Sequence, residues 1–249
     1  MPLVVVTGPV RSGKSTFAQV MASQSGRRVT VVATGRCDPA DAEWAARIAR
    51  HRRERPTSWR TVETAGMPLR EQCLLFEAAG ADECLVVDAL GTWLADRLGA
   101  HSDAIARDPV AAEQLLETEA RRFGEAMLAS RALCIAVCEQ VGWEVVPVAP
   151  SARLFRDVLG RMVRRLAADA ESAYLVVAGY AIDVKRYGVL VAAGDAVVAA
   201  EAVEAGDAVT AGDAVAADAA GVPAAADAGG AGDGEATAGG GSVGTGVAP

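Results

Sequence analysis

One eight-residue stretch near the start of the chain limits its fold more than any other feature. A short apolar, β-branched run at 3–6 predicts a buried strand, and the residues from Ser15 onwards predict a helix that packs on a sheet. Between the two lies the sequence Gly8-Pro9-Val10-Arg11-Ser12-Gly13-Lys14-Ser15. It matches the phosphate-binding pattern G-x-x-x-x-G-K-[ST], so we expect the chain to begin with a strand, a phosphate-binding turn and a helix.

The residue types of this turn suit a nucleoside triphosphate. Gly8 and Gly13 let successive backbone N–H groups converge on phosphates, and the following helix adds its positive N-terminal end. Lys14 would reach the β- and γ-phosphates, and the Ser15 hydroxyl would hold Mg²⁺. The alternative is an ordinary glycine-rich turn between a strand and a helix. The Lys-Ser pair in register with the second glycine favours the nucleotide interpretation.

Composition indicates one large α/β domain in a chain of 249 residues with a formal net charge of −8. The net negative charge is concentrated in the last part of the chain, where no Lys or Arg follows Arg186. The residues before this part have a net charge close to zero. The body therefore has no global basic field, and we expect no nucleic acid among its partners.

The cysteines and the apolar runs indicate the compartment. The chain has five cysteines and no C-x-x-C pair, which is typical of buried, reduced thiols in a cytoplasmic protein. The N-terminus lacks the charged region of a signal peptide, and no unbroken apolar stretch approaches the ~18 residues of a membrane span. We expect a cytoplasmic protein with no membrane span.

Strands and helices are expected to alternate along most of the chain. After the first strand and helix, strands are predicted at 29–33, 59–63, 84–87, 133–138 and 173–178, helices at 38–55, 68–79, 92–98, 109–129 and 150–168, and a polar connector at 100–108. The helix 109–129 is expected to turn four apolar side chains inward: Leu115, Leu116, Phe123 and Met127. This alternation predicts a mainly parallel sheet with helices on both faces.

Four polar segments follow predicted strands and are expected to meet at one edge of the sheet. They are 8–15, 34–36, Asp88 and 139–142. Ligands of such sheets bind beyond the carboxyl ends of the strands, so these segments predict a single nucleotide site.

The last part of the chain differs in kind. From about residue 192 it consists mainly of Ala, Gly, Val and Asp, and large apolar side chains are almost absent. Such a composition buries too little area to offset the entropy of ordering the chain. We predict a catalytic domain at 1–190 and a disordered acidic tail at 191–249, with a weakly helical packed segment as the alternative.

Three side chains outside the phosphate turn are candidates for chemistry. Asp88 ends an apolar strand, as a Walker-B carboxylate does, and would hold Mg²⁺; a capping Asp is the alternative. His51 lies among arginines, whose positive charge favours a neutral, nucleophilic imidazole, although a histidine of ordinary structural role stays equally open. Glu63 would accept hydrogen bonds from a nucleotide, but its spacing alone favours a solvated acid.

Taken together, these motifs resemble one enzyme family. The motifs are 6–15, Arg47-Ile48 with His51 and Arg55-Pro56, Trp59-Arg60-Thr61-Val62-Glu63, Val87-Asp88, Val141-Gly142 with Val146-Pro147, and Arg153-Leu154-Phe155-Arg156-Asp157 with Gly160-Arg161. Their order and gaps over about 3–185 are similar to the bifunctional adenosylcobinamide kinase/adenosylcobinamide-phosphate guanylyltransferases of cobalamin biosynthesis. The chain departs from the family's usual residues at Gly91, usually Thr, and at Glu139-Gln140, usually Asn-Glu.

The resemblance implies two activities on a RecA-like P-loop fold. The first phosphorylates adenosylcobinamide from ATP or GTP, and the second transfers GMP from GTP to the resulting phosphate through a GMP-histidine intermediate. The family is expected to be homotrimeric and to use Mg²⁺. A small-molecule kinase without guanylyl transfer and a non-catalytic nucleotide-binding relative are the alternatives.

The resemblance also assigns residues to these activities. It implies His51 as the attacking histidine, while the phosphate-binding and Walker-B patterns predict Lys14 as a catalytic residue and Ser15 and Asp88 as metal ligands. It implies a nucleotide-binding set of Gly8, Pro9, Val10, Arg11, Ser12, Gly13, Lys14, Ser15, Thr34, Gly35, Arg36, Arg52, Arg53, Glu54, Arg55, Glu63 and Asp88.

Overall fold

The computed structural model describes residues 2–36, 42–143 and 145–191. Within these residues the elements follow one another in the order β1 (Leu3–Gly8), α1 (Lys14–Gln24), β2 (Arg28–Ala33), α2 (Ala42–Glu54), β3 (Arg60–Glu63), α3 (Leu69–Ala78), β4 (Glu83–Asp88), α4 (Leu90–Ala100), α5 (Ser102–Arg107), α6 (Pro109–Ala129), β5 (Leu133–Glu139), α7 (Pro150–Asp169), β6 (Ser172–Val177), β7 (Tyr180–Asp183) and α8 (Val184–Tyr187).

The strands form one mainly parallel sheet in the order β3-β2-β4-β5-β1-β6-β7. Only β7, which pairs with β6, runs antiparallel to its neighbour. The central strands β4, β5 and β1 are almost continuously apolar and buried, as parallel strands covered on both faces must be. The carboxyl ends of β1 to β6 therefore point to the same edge of the sheet.

Two apolar clusters cover the two faces of the sheet, as side chains alternate along each strand. One face packs on α3, α4, α6 and α7 around the stacked rings of Trp93 and Phe123, whose centroids are 4.6 Å apart. The other packs on α1 through Ala18 and Ala22, which are fully buried. The predicted mainly parallel sheet with helices on both faces is therefore confirmed.

Three of the four described cysteine thiols are buried, as the sequence predicts. Cys84, Cys134 and Cys138 are buried and free, and Cys73 is half-buried and free. Burial raises the pKa of Cys84 to about 11 and that of Cys134 to about 12, so both thiols are neutral and unreactive at neutral pH. Cys37 lies outside the described residues.

Two details predicted from the sequence are wrong. The connector at 100–108 contains the helix α5, which is stabilised because the apolar Ile105 packs on the core. The other residues of this segment are mostly polar, so the sequence shows no helical periodicity there. Leu115 does not face inward but is 40% exposed. The buried stripe of α6 instead runs through Ala112, Leu116, Ala120, Phe123 and Met127, and Leu115 falls beside it.

The sequence also failed to indicate the hairpin of β6 and β7. Its turn residues Ala178 and Gly179 have φ values of 50° and 84°, as the tight turn between paired strands requires. The turn has Ala-Gly in place of the usual Asn-Gly or Asp-Gly. Because alanine is uncommon at a positive φ, this pair does not predict a hairpin. The Asp183 carboxylate then accepts hydrogen bonds from the backbone N–H groups of Lys185 and Arg186 and caps α8.

Some predictions concern residues outside the described ranges. The predicted helix start at Asp38-Pro39 and the predicted tail from residue 192 are among them. In the part of the chain that the structure describes, none of the helices combines the length and the apolarity needed to cross a bilayer.

Candidate functional site

The phosphate-binding turn leaves β1 at the carboxyl edge of the sheet and enters α1. A Cβ at Gly8 would overlap the backbone oxygen of Val176 on β6, so only glycine lets the turn pass this close to the neighbouring strand. Gly13 has a φ of 96°, a conformation that L side chains rarely adopt. Lys14 is only 8% exposed, and its ammonium group donates a hydrogen bond of 3.2 Å to the Pro9 carbonyl. Its charge therefore lies over the turn, where phosphate oxygens would bind.

Ser15 and Asp88 are brought together at the end of β4. The Ser15 hydroxyl donates a hydrogen bond of 3.3 Å to Oδ1 of Asp88. A hydroxyl and a carboxylate are the hard oxygen ligands that Mg²⁺ takes beside substrate phosphates. Among the described residues no group of three or more His, Cys, Asp or Glu could hold a metal alone. The pair therefore fits a magnesium ion whose other ligands come from a nucleotide and water.

A cleft at this edge joins the two ligands to α2 and β3. It is lined by Ser15, Ala33, Gly35, Ile48, Arg52, Arg55, Glu63, Asp88, Ala89 and Thr92. A second cavity adjoins it at Ser15 and follows the phosphate-binding turn to Arg50. Positive charge from α2 thus borders both the turn and the predicted metal ligands.

Arg55 directly follows the last residue of α2 and is more enclosed than the α2 arginines whose side chains the structure describes. Its side chain is 9% exposed, and its Nη2 lies 3.7 Å from Oδ2 of Asp88. Its Nε is buried and has no hydrogen-bond partner among the described residues. A buried donor without a partner costs free energy, so Arg55 is poised to donate to an anion in the cleft.

Arg52 and Glu63 form a second pair on the outer side of the cleft. Arg52 Nη2 lies 2.6 Å from Oε1 of Glu63, and the two side chains are 53% and 48% exposed. The spacing of Glu63 alone favoured a solvated acid, but its carboxylate is tied to the cleft wall. An exposed pair of this kind contributes little to stability, so it can open when a ligand binds.

Several residues of the sequence-based nucleotide set lie elsewhere. Thr34 is 1% exposed, and its hydroxyl lies 2.6 Å from both the Ala89 carbonyl oxygen and Thr92 Oγ1. Arg36 pairs with Asp96 at 2.8 Å rather than lining the cleft. Val10 is 65% exposed, and Arg53 is exposed on α2 and does not line the cleft. Gly35 is therefore the residue of 34–36 that borders the cleft.

His51 and Glu54 lie on α2, but their side chains fall outside what the structure describes. Position 51 follows Ile48 by three residues and precedes Arg55 by four. Residues three apart share one face of a helix, and Ile48 lines the cleft, as does Arg55 directly after the helix end. The backbone therefore places position 51 on the cleft side of α2.

Sequence reasoning missed a carboxylate that organises the cleft wall. The Asp96 side chain is 3% exposed, pairs with Arg36 and accepts a hydrogen bond of 2.9 Å from the backbone N–H of Gly66. Its only sequence signal is a charged residue on the apolar side of α4, close to Trp93. It joins the loop after β2, which includes Gly35 of the cleft lining, to the loop after β3, which directly follows Glu63 of that lining.

Comparisons with known proteins agree with this arrangement. The model of the family "Cobinamide kinase / cobinamide phosphate guanyltransferase" matches residues 4–184. The bifunctional adenosylcobalamin biosynthesis protein CobU of Escherichia coli strain K12 is 34% identical over 186 residues, which are 74% of this chain and 99% of that protein. The protein of the same name in Salmonella typhimurium strain LT2 is 32% identical over 186 residues, which are again 74% of this chain and 99% of that protein.

Two further comparisons concern a third curated relative and a solved structure. CobP of Pseudomonas aeruginosa strain PAO1, also named a bifunctional adenosylcobalamin biosynthesis protein, is 33% identical over 181 residues, which are 73% of this chain and 96% of that protein. Among solved structures, an ATPase of a bacterial type III secretion system has a TM-score of 0.46 at 12% identity and covers 76% of this chain and 58% of its own. The latter is too distant to bear on activity.

Proposed function

The chain belongs to the cobinamide kinase / cobinamide phosphate guanyltransferase family, and from that premise we propose that it performs both reactions of the family in one cleft. The first converts adenosylcobinamide to its phosphate, and the second converts that phosphate to adenosylcobinamide-GDP. One observation supports a shared cleft most strongly. At a single edge of the sheet, Lys14, Ser15 and Asp88 meet Arg52 of α2 and Arg55, which directly follows that helix.

In the kinase step, a hydroxyl oxygen of adenosylcobinamide attacks the γ-phosphorus of ATP or GTP. The bond from that phosphorus to the bridging oxygen breaks, and the nucleoside diphosphate leaves. Lys14 lies where it can neutralise charge on the β- and γ-phosphates, and the N–H groups of the turn hold the triphosphate in line. Mg²⁺, held by Ser15 and Asp88, would neutralise the same phosphate oxygens.

In the transfer step, a nitrogen of the His51 ring attacks the α-phosphorus of GTP and pyrophosphate leaves. A phosphate oxygen of adenosylcobinamide phosphate then attacks the phosphorus of the GMP-histidine, the P–N bond breaks, and the free imidazole returns. Arg55, with its unpaired Nε, and Arg52 would stabilise charge on the phosphoryl group under attack. The cleft-side position of residue 51 on α2 supports this role.

Labelled GTP tests this proposal directly. We expect protein incubated with α-³²P-GTP and Mg²⁺ to carry label that is acid-labile and base-stable, as a phosphoramidate is. His51→Ala should remove the label. His101→Ala is the matched control, because it is the other histidine and lies in a network with Arg97 and Glu119 remote from the cleft.

The outcomes separate the three candidate functions. Label that depends on His51, together with phosphorylation of adenosylcobinamide, supports the bifunctional enzyme. Turnover of ATP on a hydroxyl substrate without any label supports a kinase that lacks guanylyl transfer. Binding of GTP with neither label nor turnover supports a non-catalytic relative.

We also propose that the protein acts in the cytoplasm as a homotrimer and does not bind nucleic acid. The nearly neutral body outside the acidic last part supports the absence of nucleic acid. Light scattering of the purified chain would test the trimer, and a dimer or monomer at micromolar concentration would contradict it.

A further inference from the structure

Glu139 lies at the carboxyl end of β5, between the strands that carry the phosphate-binding turn and the predicted metal ligand. In the sheet register, Glu139 pairs with Gly8 of β1, and Val137 pairs with Asp88 of β4. Adjacent strands lie about 4.8 Å apart, so Glu139 is a direct neighbour of the first residue of the turn. Since side chains alternate along a strand, Glu139 and Asp88 belong to the same face of the sheet.

The start of α4 is shaped around the Glu139 carboxylate. Oε2 of Glu139 accepts a hydrogen bond of 3.1 Å from the backbone N–H of Gly91. A Cβ at position 91 would overlap Oε2, so the carboxylate fits there only because residue 91 has no side chain. Within the part of the chain that the structure describes, Oε1 has no hydrogen-bond partner. One oxygen is thus fixed at the carboxyl edge of the sheet, and the other can accept a proton.

The three group transfers in the proposed function differ in whether their nucleophile must lose a proton. In the kinase step the nucleophile is a hydroxyl, which must lose a proton as its oxygen bonds to phosphorus. Formation of the GMP-histidine uses a neutral ring nitrogen, and the final transfer uses a phosphate oxygen that is already ionised. Only the kinase step needs a base for its nucleophile.

We propose that Glu139 is the general base of the kinase step, an inference that rests on the proposed function. Its carboxylate takes the proton of the adenosylcobinamide hydroxyl while the hydroxyl oxygen bonds to the γ-phosphorus and the bridging P–O bond breaks. The hydrogen bond from Gly91 keeps the carboxylate on the Asp88 face of the sheet. Lys14 and Ser15 follow β1, Asp88 ends β4, and both strands are direct neighbours of β5, so these groups would hold the transferred phosphate beside Glu139.

A purely structural role for Glu139 makes a different prediction. A carboxylate at the N-terminus of α4 would stabilise that helix by favourable interaction with its dipole. Glu139→Gln separates the two roles, because the amide oxygen can still accept the Gly91 hydrogen bond while the amide cannot take up a proton. Glu139→Asp retains a carboxylate and should recover part of the lost rate.

The test compares both activities in the full chain. For Glu139→Gln we expect kcat of adenosylcobinamide phosphorylation to fall about 100-fold or more, with KM changed by less than about threefold. The yield of GMP-histidine from α-³²P-GTP should stay within about threefold of wild type, as that step needs no base. Gly91→Ala should reproduce the kinase loss with Glu139 present, because the new methyl group displaces its carboxylate.

Each remaining outcome overturns the assignment. A kinase kcat of Glu139→Gln within about threefold of wild type would show that Glu139 is not the base. Parallel loss of both activities and of thermal stability would show that the carboxylate only caps α4. Wild-type protein that phosphorylates no cobinamide would refute the proposed function itself, and the role of Glu139 with it.

Discussion

Arg55 and Ser15 approach opposite oxygens of the same Asp88 carboxylate. The Arg55 Nη2 lies 3.7 Å from Oδ2, and the Ser15 hydroxyl lies 3.3 Å from Oδ1. Asp88 therefore links the phosphate-binding turn to the residue that follows α2, the helix that carries the proposed nucleophile. A metal ion bound to Asp88 and Ser15 would lie next to Arg55, so metal and arginine together would form the positive wall of the cleft.

Replacing Asp88 with Asn should abolish the effect of magnesium on nucleotide binding. The amide retains the shape of the side chain but has no charge to hold the metal or to pair with Arg55. In wild type we expect GTP to raise Tm more with Mg²⁺ than with EDTA, because tighter binding to the native state stabilises it. In the Asn variant, GTP should raise Tm by the same small amount with Mg²⁺ and with EDTA. An undiminished difference would mean that Asp88 does not contact the metal.

Lys14→Ala should abolish both activities. Lys14 is the cation placed over the turn, and both reactions need the triphosphate held in the same place. The measurements are phosphorylation of adenosylcobinamide and the yield of GMP-histidine. Lys185→Ala serves as control, since its ammonium group bonds to carbonyls at the end of α7, away from the cleft. Guanylylation that survives in Lys14→Ala would show that the two reactions bind GTP differently.

Much of this architecture follows from local patterns in the sequence. The apolar strands, the turn at 8–15 and Asp88 at the end of a strand together predict the sheet and the edge where the site lies. Periodicity could not indicate contacts between distant segments. The tie between Asp96 and Gly66 and the fit of Glu139 against Gly91 depend on tertiary packing, which no spacing encodes.

Two departures from the family's usual residues form one structural unit. Gly91 and Glu139 are 48 residues apart in the chain and in direct contact. Nothing in the sequence indicates that these two positions are in contact. Thr34 shows the opposite case, because its place after a strand predicted a ligand contact and its hydroxyl is used within the protein instead.

The free energy of unfolding should depend on pH through Glu119. Burial alone would raise the pKa of Glu119, but hydrogen bonds and charge from Arg97 and His101 outweigh it and hold the pKa below its usual value. A lowered pKa gives stability that is fully present above the unfolded value of about 4.3 and is lost as the pH falls through the folded value. Glu119→Gln removes this contribution.

Urea unfolding from about pH 3 to pH 7 would measure this effect. The difference in unfolding free energy between wild type and Glu119→Gln should be constant near neutral pH and shrink below about pH 4.3. Glu125→Gln is the control, because Glu125 is 57% exposed in a pair with Arg121 and should matter little at any pH. A difference that grows on acidification would contradict the lowered pKa.

Removing the residues after Gly194 should leave both activities intact. The family match ends at residue 184, and the Escherichia coli relative aligns over 99% of its own length within 186 residues, so the removed segment has no counterpart there. Among the residues that the structure describes, those that line the cleft all lie before residue 93. Kinase rate, GMP-histidine yield and Tm of the shortened chain should match those of the full chain. A large loss of soluble, active protein would show instead that the acidic segment packs on the catalytic domain and stabilises it.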